Sequence, residues 1–188
     1  MQRVNSTGKR FKRLRNAIFL DRDGVINRKL PEYGYVRNVS EFEFLPGVFE
    51  ALTTLKELGF MLVLVTNQRG IARGFMSVDD LDRVHGFMQS ELDRNSAPMD
   101  RIYYCPHEEF EGCSCRKPEP GMLLAACRDY GIDPSTSYMV GDSAKDVLAG
   151  KRAGTRTVRI ATEDDSGADL VFPSLLAFAR FLREEHEE

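Results

Sequence analysis

The chain has 188 residues, with 26 lysines and arginines against 29 aspartates and glutamates, and its formal net charge is −3. A chain of this length can bury a core as one domain. The slightly acidic balance excludes a global field that attracts nucleic acid or anionic lipid, and no stretch approaches the ~20 apolar residues that span a membrane. We therefore expect a soluble, cytoplasmic monomer with no nucleic-acid or membrane partner.

The amino-terminal segment differs in charge from the rest of the chain. Residues 1–15 contain six lysines and arginines and no acid. Basic segments can contact polyanions, but a solvated chain terminus is the more common situation. We predict a basic flexible tail over residues 1–15 and a single domain over residues 16–188.

Short apolar runs alternate with amphipathic segments from residue 17 to residue 183, which is typical of a parallel sheet wrapped by helices. The helix after Ser77 has the clearest start, because Asp80 completes an S-x-x-D capping pattern. Its predicted buried stripe consists of Val78, Leu81, Val84, Met88 and Leu92. The predicted elements of the first half are a strand at 17–20, a helix from Pro46 to Leu58, a strand at 61–65 and the helix after Ser77.

The second half of the chain continues the same alternation. Together the two halves predict an α/β fold with a doubly wound, Rossmann-like parallel sheet. Open parallel sheets place their active sites beyond the carboxyl ends of the strands, so the polar residues that follow each strand should meet there. The predicted elements are strands at 102–105, 138–140, 155–160 and 170–172, helices at 120–130 and 174–183, and a helix ending at Gly154 with Val147 and Leu148 facing inward.

A cluster of metal ligands lies in residues 105–115. Three of the four cysteines of the chain and one histidine fall there. Thiols and imidazole are the donors that tetrahedral zinc prefers, and four protein ligands leave no position for a catalytic water. The sequence therefore predicts a structural zinc loop, although a chance cluster of these residues would look the same. The predicted ligands are Cys105, His107, Cys113 and Cys115.

Carboxylates follow two of the predicted strands. Asp21 and Asp23 come directly after the first strand, and Asp142 follows the strand at 138–140, with Asp146 four residues later. Carboxylates aimed at one pocket are costly unless a cation shares their charge, and oxygen ligands favour magnesium. Thr66 and Lys117 add a hydroxyl and an ammonium, so the set suits phosphoryl transfer.

In this order, Asp21, Thr66, Lys117 and Asp142 match the four motifs of the haloacid dehalogenase superfamily, and the chain resembles its phosphatases. Within the superfamily, residues 17–180 are most similar to the bacterial D-glycero-D-manno-heptose 1,7-bisphosphate 7-phosphatases, which share the zinc loop and phrases such as the one from Thr66 to Gly74. The resemblance implies a fold without a large cap domain. It also implies a magnesium-dependent phosphoric monoester hydrolase that acts on the 7-phosphate of the heptose bisphosphate in lipopolysaccharide synthesis.

The resemblance also assigns roles to individual residues. Asp21 would attack phosphorus and form an aspartyl phosphate, and Asp23 would act as acid and base. Magnesium would be held by Asp21, the backbone carbonyl of Asp23 and Asp142, while Asp146 would orient Lys117 or the metal waters. The remaining expected contacts are Thr66 and Lys117 with the transferred phosphoryl group, and Asn67, Arg116 and Lys117 with the substrate.

Several sequence features keep different functions open. Only five residues separate His107 from Cys113, which is closer to the histidinol-phosphate phosphatases, and acids in that loop could bind an ammonium. The basic tail could serve a zinc-stabilised nucleic-acid-binding module, and a phosphatase of polynucleotide ends could stack bases on Tyr33, Tyr35 and Phe75. Ser143 also stands where some relatives have a lysine, which leaves the second phosphate of a bisphosphate to Arg116, Arg28, Lys29 or Arg69.

Overall fold

The computed structural model describes residues 14–31, 34–163 and 166–187. Within these ranges six strands form one sheet, and every pairing in it is parallel. The strands are β1 (Ala17–Leu20), β2 (Met61–Asn67), β3 (Arg101–Cys105), β4 (Tyr138–Gly141), β5 (Arg156–Ile160) and β6 (Leu170–Phe172). Their order across the sheet is β3-β2-β1-β4-β5-β6, which confirms the predicted doubly wound α/β architecture.

Five helices cover the two faces of the sheet within the described ranges. They are α1 (Val48–Glu57), α2 (Val78–Arg94), α3 (Gly121–Tyr130), α4 (Ala144–Ala153) and α5 (Leu175–Glu187). Residues of α1, α2 and α5 pack with one set of strand residues, and residues of α3 and α4 pack with the other. No separate cap unit interrupts the described connections, which contain only short 3-10 helices at Val39–Glu41 and Pro134–Thr136.

The strands are apolar throughout because both sheet faces are buried. In β1, Ile18 and Leu20 face the core that contains α1, whereas Ala17 and Phe19 face the core that contains α3. All four of these side chains are fully buried. This double burial holds the ends of β1 and its neighbours in fixed positions, so the residues that follow them are fixed as well.

The start of α2 confirms the predicted capping pattern. The Ser77 hydroxyl accepts a hydrogen bond from the Asp80 backbone N–H at 3.1 Å, and the Asp80 carboxylate accepts one from the Ser77 N–H at 2.8 Å. The predicted stripe is correct at Leu81, Val84, Met88 and Leu92 but wrong at Val78, which is 43% exposed. Val78 is the first residue of the helix and lies beyond the edge of the core.

The prediction that Leu148 faces inward is also wrong, since 41% of it is exposed, whereas Val147 is buried. The packed face of α4 is built largely from small residues, including Ala149, Gly150 and Ala153. A Cβ added at Gly150 would lie 2.7 Å from the Met139 side chain, so the helix approaches the sheet closely. Hydrophobic size is therefore a poor guide to which face of α4 is buried.

Element boundaries differ from the predicted ones by a few residues. β2 continues two residues past its predicted end, and α5 extends to Glu187 instead of ending at residue 183. Most of the predicted basic tail, residues 1–13, lies outside the described residues. Arg15, at the end of that tail, forms a bridge with Ile132, and its N–H donates to the Gly131 carbonyl at 2.8 Å. Among the described helices, none is long and apolar enough to cross a bilayer.

Candidate active site

The candidate site lies between β1 and β4, where the strand order of the sheet reverses direction. Asp21 follows β1 and Asp142 follows β4. The Asp21 N–H donates to the Val140 carbonyl at 3.0 Å, which extends the pairing of the two strands by one residue. A crevice outside the carboxyl ends of the strands forms at such a switch point. The parallel sheet thus brings together two acids that are 121 positions apart in sequence.

Three carboxylates and one ammonium form the centre of the site. Oxygen atoms of Asp21, Asp142 and Asp146 lie within 4.8 Å of one another. The Lys117 ammonium is 2.8 Å from Asp21 Oδ1 and 2.6 Å from Asp146 Oδ1. The Lys117 side chain is 2% exposed, so the lysine is a buried charge between two acids. We call Asp21, Asp142 and Asp146 the carboxylate cluster.

The carboxylate cluster has an excess of negative charge that one lysine does not remove. Burial raises the pKa of Asp21 to about 7, with Asp146 and Asp23 adding to the rise and Lys117 opposing it. Burial also raises the pKa of Asp142. Burial opposes the charged form of Lys117 too, but Asp146 and Asp21 overcome that effect and raise the pKa of Lys117. Hard oxygen donors whose ionised forms are disfavoured in this way fit a divalent cation such as magnesium.

The two carboxylate oxygens of Asp146 have different partners. One oxygen pairs with Lys117, and the other accepts from the Ser143 N–H at 3.1 Å and from the Ser143 hydroxyl at 2.5 Å. Ser143 and Asp146 thereby form the capping box of α4, the same motif that starts α2. The prediction that Asp146 orients Lys117 agrees with this geometry. Its capping role was missed, although the S-x-x-D spacing was present in the sequence.

Asp23 lies in a network of donors. Arg22 contacts both of its carboxylate oxygens at 3.1 Å, Asn27 Nδ2 donates at 2.9 Å, and Gln68 Nε2 donates at 3.2 Å. Burial alone would raise the pKa of Asp23, but Arg22 and these hydrogen bonds hold it below the ordinary value. In the described protein Asp23 is therefore stabilised as a carboxylate.

Asp23 is contacted by a buried arginine, Arg22, which is in turn contacted by a buried histidine, His85. Arg22 is 1% exposed, and its Nη1 lies 3.3 Å from His85 Nε2. Burial and the Arg22 charge lower the pKa of His85 to about 3, so the imidazole is neutral and can accept from the guanidinium. Sequence reasoning missed both residues. His85 falls on the buried stripe of α2, so helical spacing could have found it, whereas no sequence pattern marked Arg22 as buried.

The segment that ends β2 positions the backbone of Lys117. Asn67 Nδ2 donates to the Lys117 carbonyl at 3.0 Å, and the Lys117 N–H donates to Asn67 Oδ1 at 3.0 Å. Thr66 is 1% exposed, and its hydroxyl accepts from Gln68 Nε2 at 2.8 Å. The structure therefore brings Thr66, Asn67 and Lys117 to the same edge as the carboxylate cluster, as the sequence predicted.

A cavity of about 370 Å³ opens above these residues. Its size falls within the range of pockets that hold small molecules. Thr66 and Lys117 are not among the residues that line it, but Thr66 accepts from Gln68 and Lys117 pairs with Asp21, which both line it. Among the predicted site residues, the cavity is lined by Asp21, Asp23, Asn67, Arg116, Asp142 and Asp146, and further cations at its surface are Lys29, Arg69 and Lys145.

Gly24 and Gly141 have no side chain, and carboxylate side chains of the cluster occupy the space where their Cβ atoms would lie. A Cβ added at Gly24 would lie 2.4 Å from Asp142 Oδ2, and one added at Gly141 would lie 2.1 Å from the Asp146 Cβ. Gly24 also has φ of +91°, a conformation that other residues rarely adopt. The backbone at Gly24, after β1, and at Gly141, the last residue of β4, therefore packs directly against carboxylates of the cluster.

The predicted zinc ligands come together at the end of β3 and in the loop that follows it. Their donor atoms lie within 4.8 Å of one another. The three sulfurs are 3.1, 3.5 and 3.6 Å apart, and His107 Nδ1 lies 3.2 Å from Cys115 Sγ and 3.5 Å from Cys105 Sγ. Sulfurs around tetrahedral zinc are about 3.8 Å apart, so the thiol cluster of Cys105, His107, Cys113 and Cys115 fits that metal.

The thiol cluster is joined to the cavity by its neighbours in sequence. Arg116 follows Cys115 directly, and its Nη1 donates to the His107 carbonyl at 3.2 Å. Glu109 pairs with Lys145 at 2.7 Å, and Glu108 pairs with Arg73. Lys145 lines the cavity and Arg73 lies in the segment after β2, so the loop is attached to the protein at both places. Arg116 is thus bonded to the loop and also lines the cavity.

Comparison with known proteins identifies the family. Residues 114–177 match the family model described as HAD-hydrolase-like. The chain is 44% identical over 183 residues to the D-glycero-beta-D-manno-heptose-1,7-bisphosphate 7-phosphatase of Haemophilus influenzae, which covers 90% of this chain and 98% of that protein. The enzyme of the same name from Escherichia coli K12 is 44% identical over 186 residues, covering 91% of this chain and 95% of that protein. This chain belongs to the heptose-bisphosphate phosphatase family.

A solved structure of the heptose-bisphosphate phosphatase family has the same fold. The D,D-heptose 1,7-bisphosphate phosphatase from B. bronchiseptica, complexed with magnesium and phosphate, superimposes with a TM-score of 0.83 at 34% identity. The match covers 90% of this chain and 99% of that chain. The resemblance drawn from the sequence motifs is therefore confirmed, and the chain is a phosphoric monoester hydrolase of this family.

Two of the three aromatic residues that were candidates for stacking a nucleic-acid base stack on each other. Tyr35 and Phe75 stack on each other, with ring centroids 5.4 Å apart and an angle of 24° between the rings. Phe75 is 55% exposed. Tyr33 lies outside the described residues. One face of each described ring is thus already covered by its partner.

Proposed function

We propose that the protein hydrolyses the 7-phosphate of D-glycero-D-manno-heptose 1,7-bisphosphate through an aspartyl-phosphate intermediate, in the synthesis of the heptose of lipopolysaccharide. The observation that carries the proposal is the carboxylate cluster with Lys117 at the strand switch point, below a cavity rimmed by cations. The names of the similar enzymes supply the substrate. The family relationship supplies the reaction class.

Magnesium fits the carboxylate cluster. Asp21, the backbone carbonyl of Asp23 and Asp142 would hold the ion, which supplies positive charge that lets an anionic nucleophile and an anionic phosphate approach each other. The raised pKa values of Asp21 and Asp142 support this assignment, because a cation would favour the ionised form of both. Asp146 is committed to Lys117 and the start of α4, so we assign it a positioning role.

The chemistry starts at Asp21. A carboxylate oxygen of Asp21 attacks phosphorus and forms a new O–P bond, while the bond between phosphorus and the oxygen on carbon 7 breaks. Asp23 gives a proton to that leaving oxygen, and the negative charge of a bound phosphate raises the pKa of Asp23 so that it can carry the proton. A water then attacks phosphorus, Asp23 accepts its proton, and phosphate leaves with Asp21 regenerated.

Thr66, Asn67 and Lys117 complete the phosphoryl site. Lys117 supplies a buried positive charge next to Asp21, and its backbone is fixed by the reciprocal hydrogen bonds with Asn67. Buried charges of this kind are worth more than exposed ones because the local dielectric is low. Arg116 lines the cavity, and its planar guanidinium suits a phosphate or a pair of sugar hydroxyls.

The thiol cluster would hold a structural zinc. Four protein ligands leave no open position on the metal, so the zinc would act on the fold of the loop and not on the substrate. Its expected effect is to fix the backbone immediately before Arg116 and Lys117. All described cysteines are free thiols, which fits a reducing compartment, and we place the enzyme in the cytoplasm as a monomer.

The acids of the thiol loop support the heptose substrate over histidinol phosphate. Glu108 is paired with Arg73 and Glu109 with Lys145, and a Glu111 oxygen accepts from the Glu108 N–H at 2.7 Å. A histidinol ammonium would need one of these acids to leave its partner. The cavity instead presents several cations, which suit a second phosphate.

The test is phosphate release by the purified protein with magnesium. Both anomers of heptose 1,7-bisphosphate and histidinol phosphate are compared at matched concentrations. A preference in kcat/KM for one heptose anomer is the expected result and would show which branch of heptose activation the enzyme serves. A preference for histidinol phosphate would overturn the substrate assignment and keep the mechanism.

The same assay tests whether the basic tail has a nucleic-acid role. A protein that lacks residues 1–13 should keep full phosphatase activity. Salt-dependent binding of a DNA or RNA oligonucleotide that is lost in this truncated protein would favour a nucleic-acid role for the tail.

A further inference from the structure

Lys29 lies at the rim of the cavity and is paired with a carboxylate of the cluster. Its ammonium is 2.6 Å from Asp142 Oδ2. The Lys29 side chain is 56% exposed, whereas that of Asp142 is 15% exposed. The lysine thus reaches from solvent towards the place where the expected magnesium would contact Asp142. A lysine ammonium is a point charge on a flexible stem, so Lys29 can change partners without a change in the backbone.

Three other cations in or beside the cavity have partners that a metal would leave in place. Lys145 pairs with Glu109, and Arg116 donates to the His107 carbonyl. Lys117 is fully buried and keeps Asp146 as a partner in any case. Lys29 differs from these three because its partner, Asp142, is itself an expected metal ligand. A divalent cation bound there would leave the Lys29 ammonium beside the cavity without the carboxylate that now neutralises it.

A bisphosphate substrate needs a cation for the phosphate that does not react. Ser143, next to Asp142, supplies no charge at that position. Of the candidates named from the sequence, Arg28 points elsewhere, since it pairs with Glu43 at 2.9 Å and is 64% exposed. Arg28 is not among the residues that line the cavity, whereas Lys29 is. Lys29 is therefore the member of the neighbouring pair that can meet a ligand.

We propose that Lys29 exchanges partners during the catalytic cycle. Its ammonium neutralises Asp142 in the metal-free protein, and it binds the non-reacting phosphate of the substrate once a divalent cation takes Asp142. This inference rests on the proposed function, because it requires a substrate with two phosphates. Metal binding and substrate binding are then coupled through one side chain, so each favours the other.

Lys29→Gln should have two effects of opposite sign. In the absence of substrate, the variant should bind magnesium about two- to fivefold more tightly in isothermal titration calorimetry, because no ammonium has to leave Asp142. With heptose 1,7-bisphosphate as the substrate, kcat/KM should fall about tenfold or more, mainly through KM, because a charge-assisted contact is lost. With heptose 7-phosphate, kcat/KM should stay within about twofold of the wild-type value, since that ligand lacks the second phosphate.

Arg28→Gln is the matched control. It removes the neighbouring positive charge from the same segment but leaves the cavity unchanged, so magnesium affinity and both kcat/KM values should equal those of the wild type. Thermal melts of both variants should match the wild type, because both side chains are largely exposed.

Three results would overturn the inference. They are an unchanged magnesium affinity in Lys29→Gln, an unchanged efficiency with the bisphosphate, and an equal loss with both substrates. A wild-type protein that does not prefer the bisphosphate to the 7-phosphate is a different outcome. It would overturn the proposed substrate, and with it the second half of this inference, whatever the variants show.

Discussion

Two clusters of metal-binding side chains lie at the same edge of the sheet, and they are built in opposite ways. The carboxylate cluster gathers Asp21, Asp142 and Asp146 from two strand ends and the first turn of α4. The thiol cluster takes all four donors from one loop of eleven residues, 105–115. The first offers hard oxygens next to a buried lysine. The second offers soft sulfurs, of which that of Cys105 belongs to a buried residue and those of Cys113 and Cys115 to partly exposed ones.

This difference matches the roles we propose: the carboxylate cluster takes part in the reaction, and the thiol cluster positions residues of the site. Acids that come from distant segments meet only after β1 and β4 have paired, so the folded sheet itself sets their positions. Burying several carboxylates close together costs free energy, and a bound cation would lower that cost. The cluster is therefore suited to bind a cation and, next to it, a phosphate. The thiol cluster can form within its own loop, and its effect on the site is to fix Arg116 and Lys117, which follow it.

The largest effect is expected from Asp21→Asn. This change removes the nucleophile and should lower kcat by at least about 10³-fold with magnesium present. The fold should survive.

Two results would contradict this view of Asp21. Substantial turnover by Asp21→Asn would show that another group attacks phosphorus. An equal loss of activity in Asp79→Asn, which removes an exposed acid of α2, would show that the effect is not specific to the site.

The second effect tests the buried charge pair. Asp146→Asn should lower stability by about 3–5 kcal/mol, because it leaves the Lys117 ammonium with one acidic partner fewer in a buried position. It should also lower kcat by about 10²-fold, since Lys117 loses its orientation. Asp80→Asn is the matched control, because Asp80 has the same place in the capping box of α2 but is partly exposed. That control should cost about 1 kcal/mol and leave turnover intact.

A third effect concerns the thiol cluster. Cys113→Ser should lower the zinc content of the purified protein, measured by elemental analysis, and reduce kcat/KM about tenfold or more by loosening the loop before Arg116. Far-ultraviolet circular dichroism should be close to that of the wild type, because most residues of both cores lie outside the loop. Global unfolding of the variant would mean that the metal supports the whole fold, and the contrast between the clusters would be wrong.

The effect that is smallest near neutral pH is a change in pH dependence. The pKa of His85 is about 3 in the folded protein, and an unfolded histidine has a pKa near 6.5. Between these two pH values His85 binds a proton in the unfolded chain but not in the folded one. The wild type should therefore lose stability as the pH falls from 6.5 towards 3, by up to about 1.4 kcal/mol per pH unit from this group. His85→Gln should flatten that dependence in urea unfolding. An unchanged slope would show that His85 does not support Arg22 as a neutral acceptor.

The two clusters were predictable from the sequence to different extents. The thiol cluster could be identified directly, because its ligands lie within one short segment. The carboxylate cluster required the strands to be placed first, and it was found because β1 and β4 are short apolar runs that end in acids. The roles of Asp21, Asp23 and Asp142 came from the family resemblance, and they stay predictions.

The misses have physical causes. Leu148 and Val78 were assigned to the core by their size and spacing, but close packing of α4 favours small residues and Val78, the first residue of α2, lies outside the core. Arg22 was missed because a charged residue in a loop is normally solvated, and only tertiary structure brings His85 next to it. Lys29 could not be separated from Arg28 for the same reason.

Gly24 and Gly141 make the site intolerant of any added atom. Neither residue carries a reactive group, yet a single methyl at either position would collide with a carboxylate of the cluster. In a library in which every position is randomised, selection for activity should therefore deplete variants at these two glycines as strongly as variants of the nucleophile. The active site is in this sense defined by two places where a side chain is forbidden, as well as by the side chains that are present.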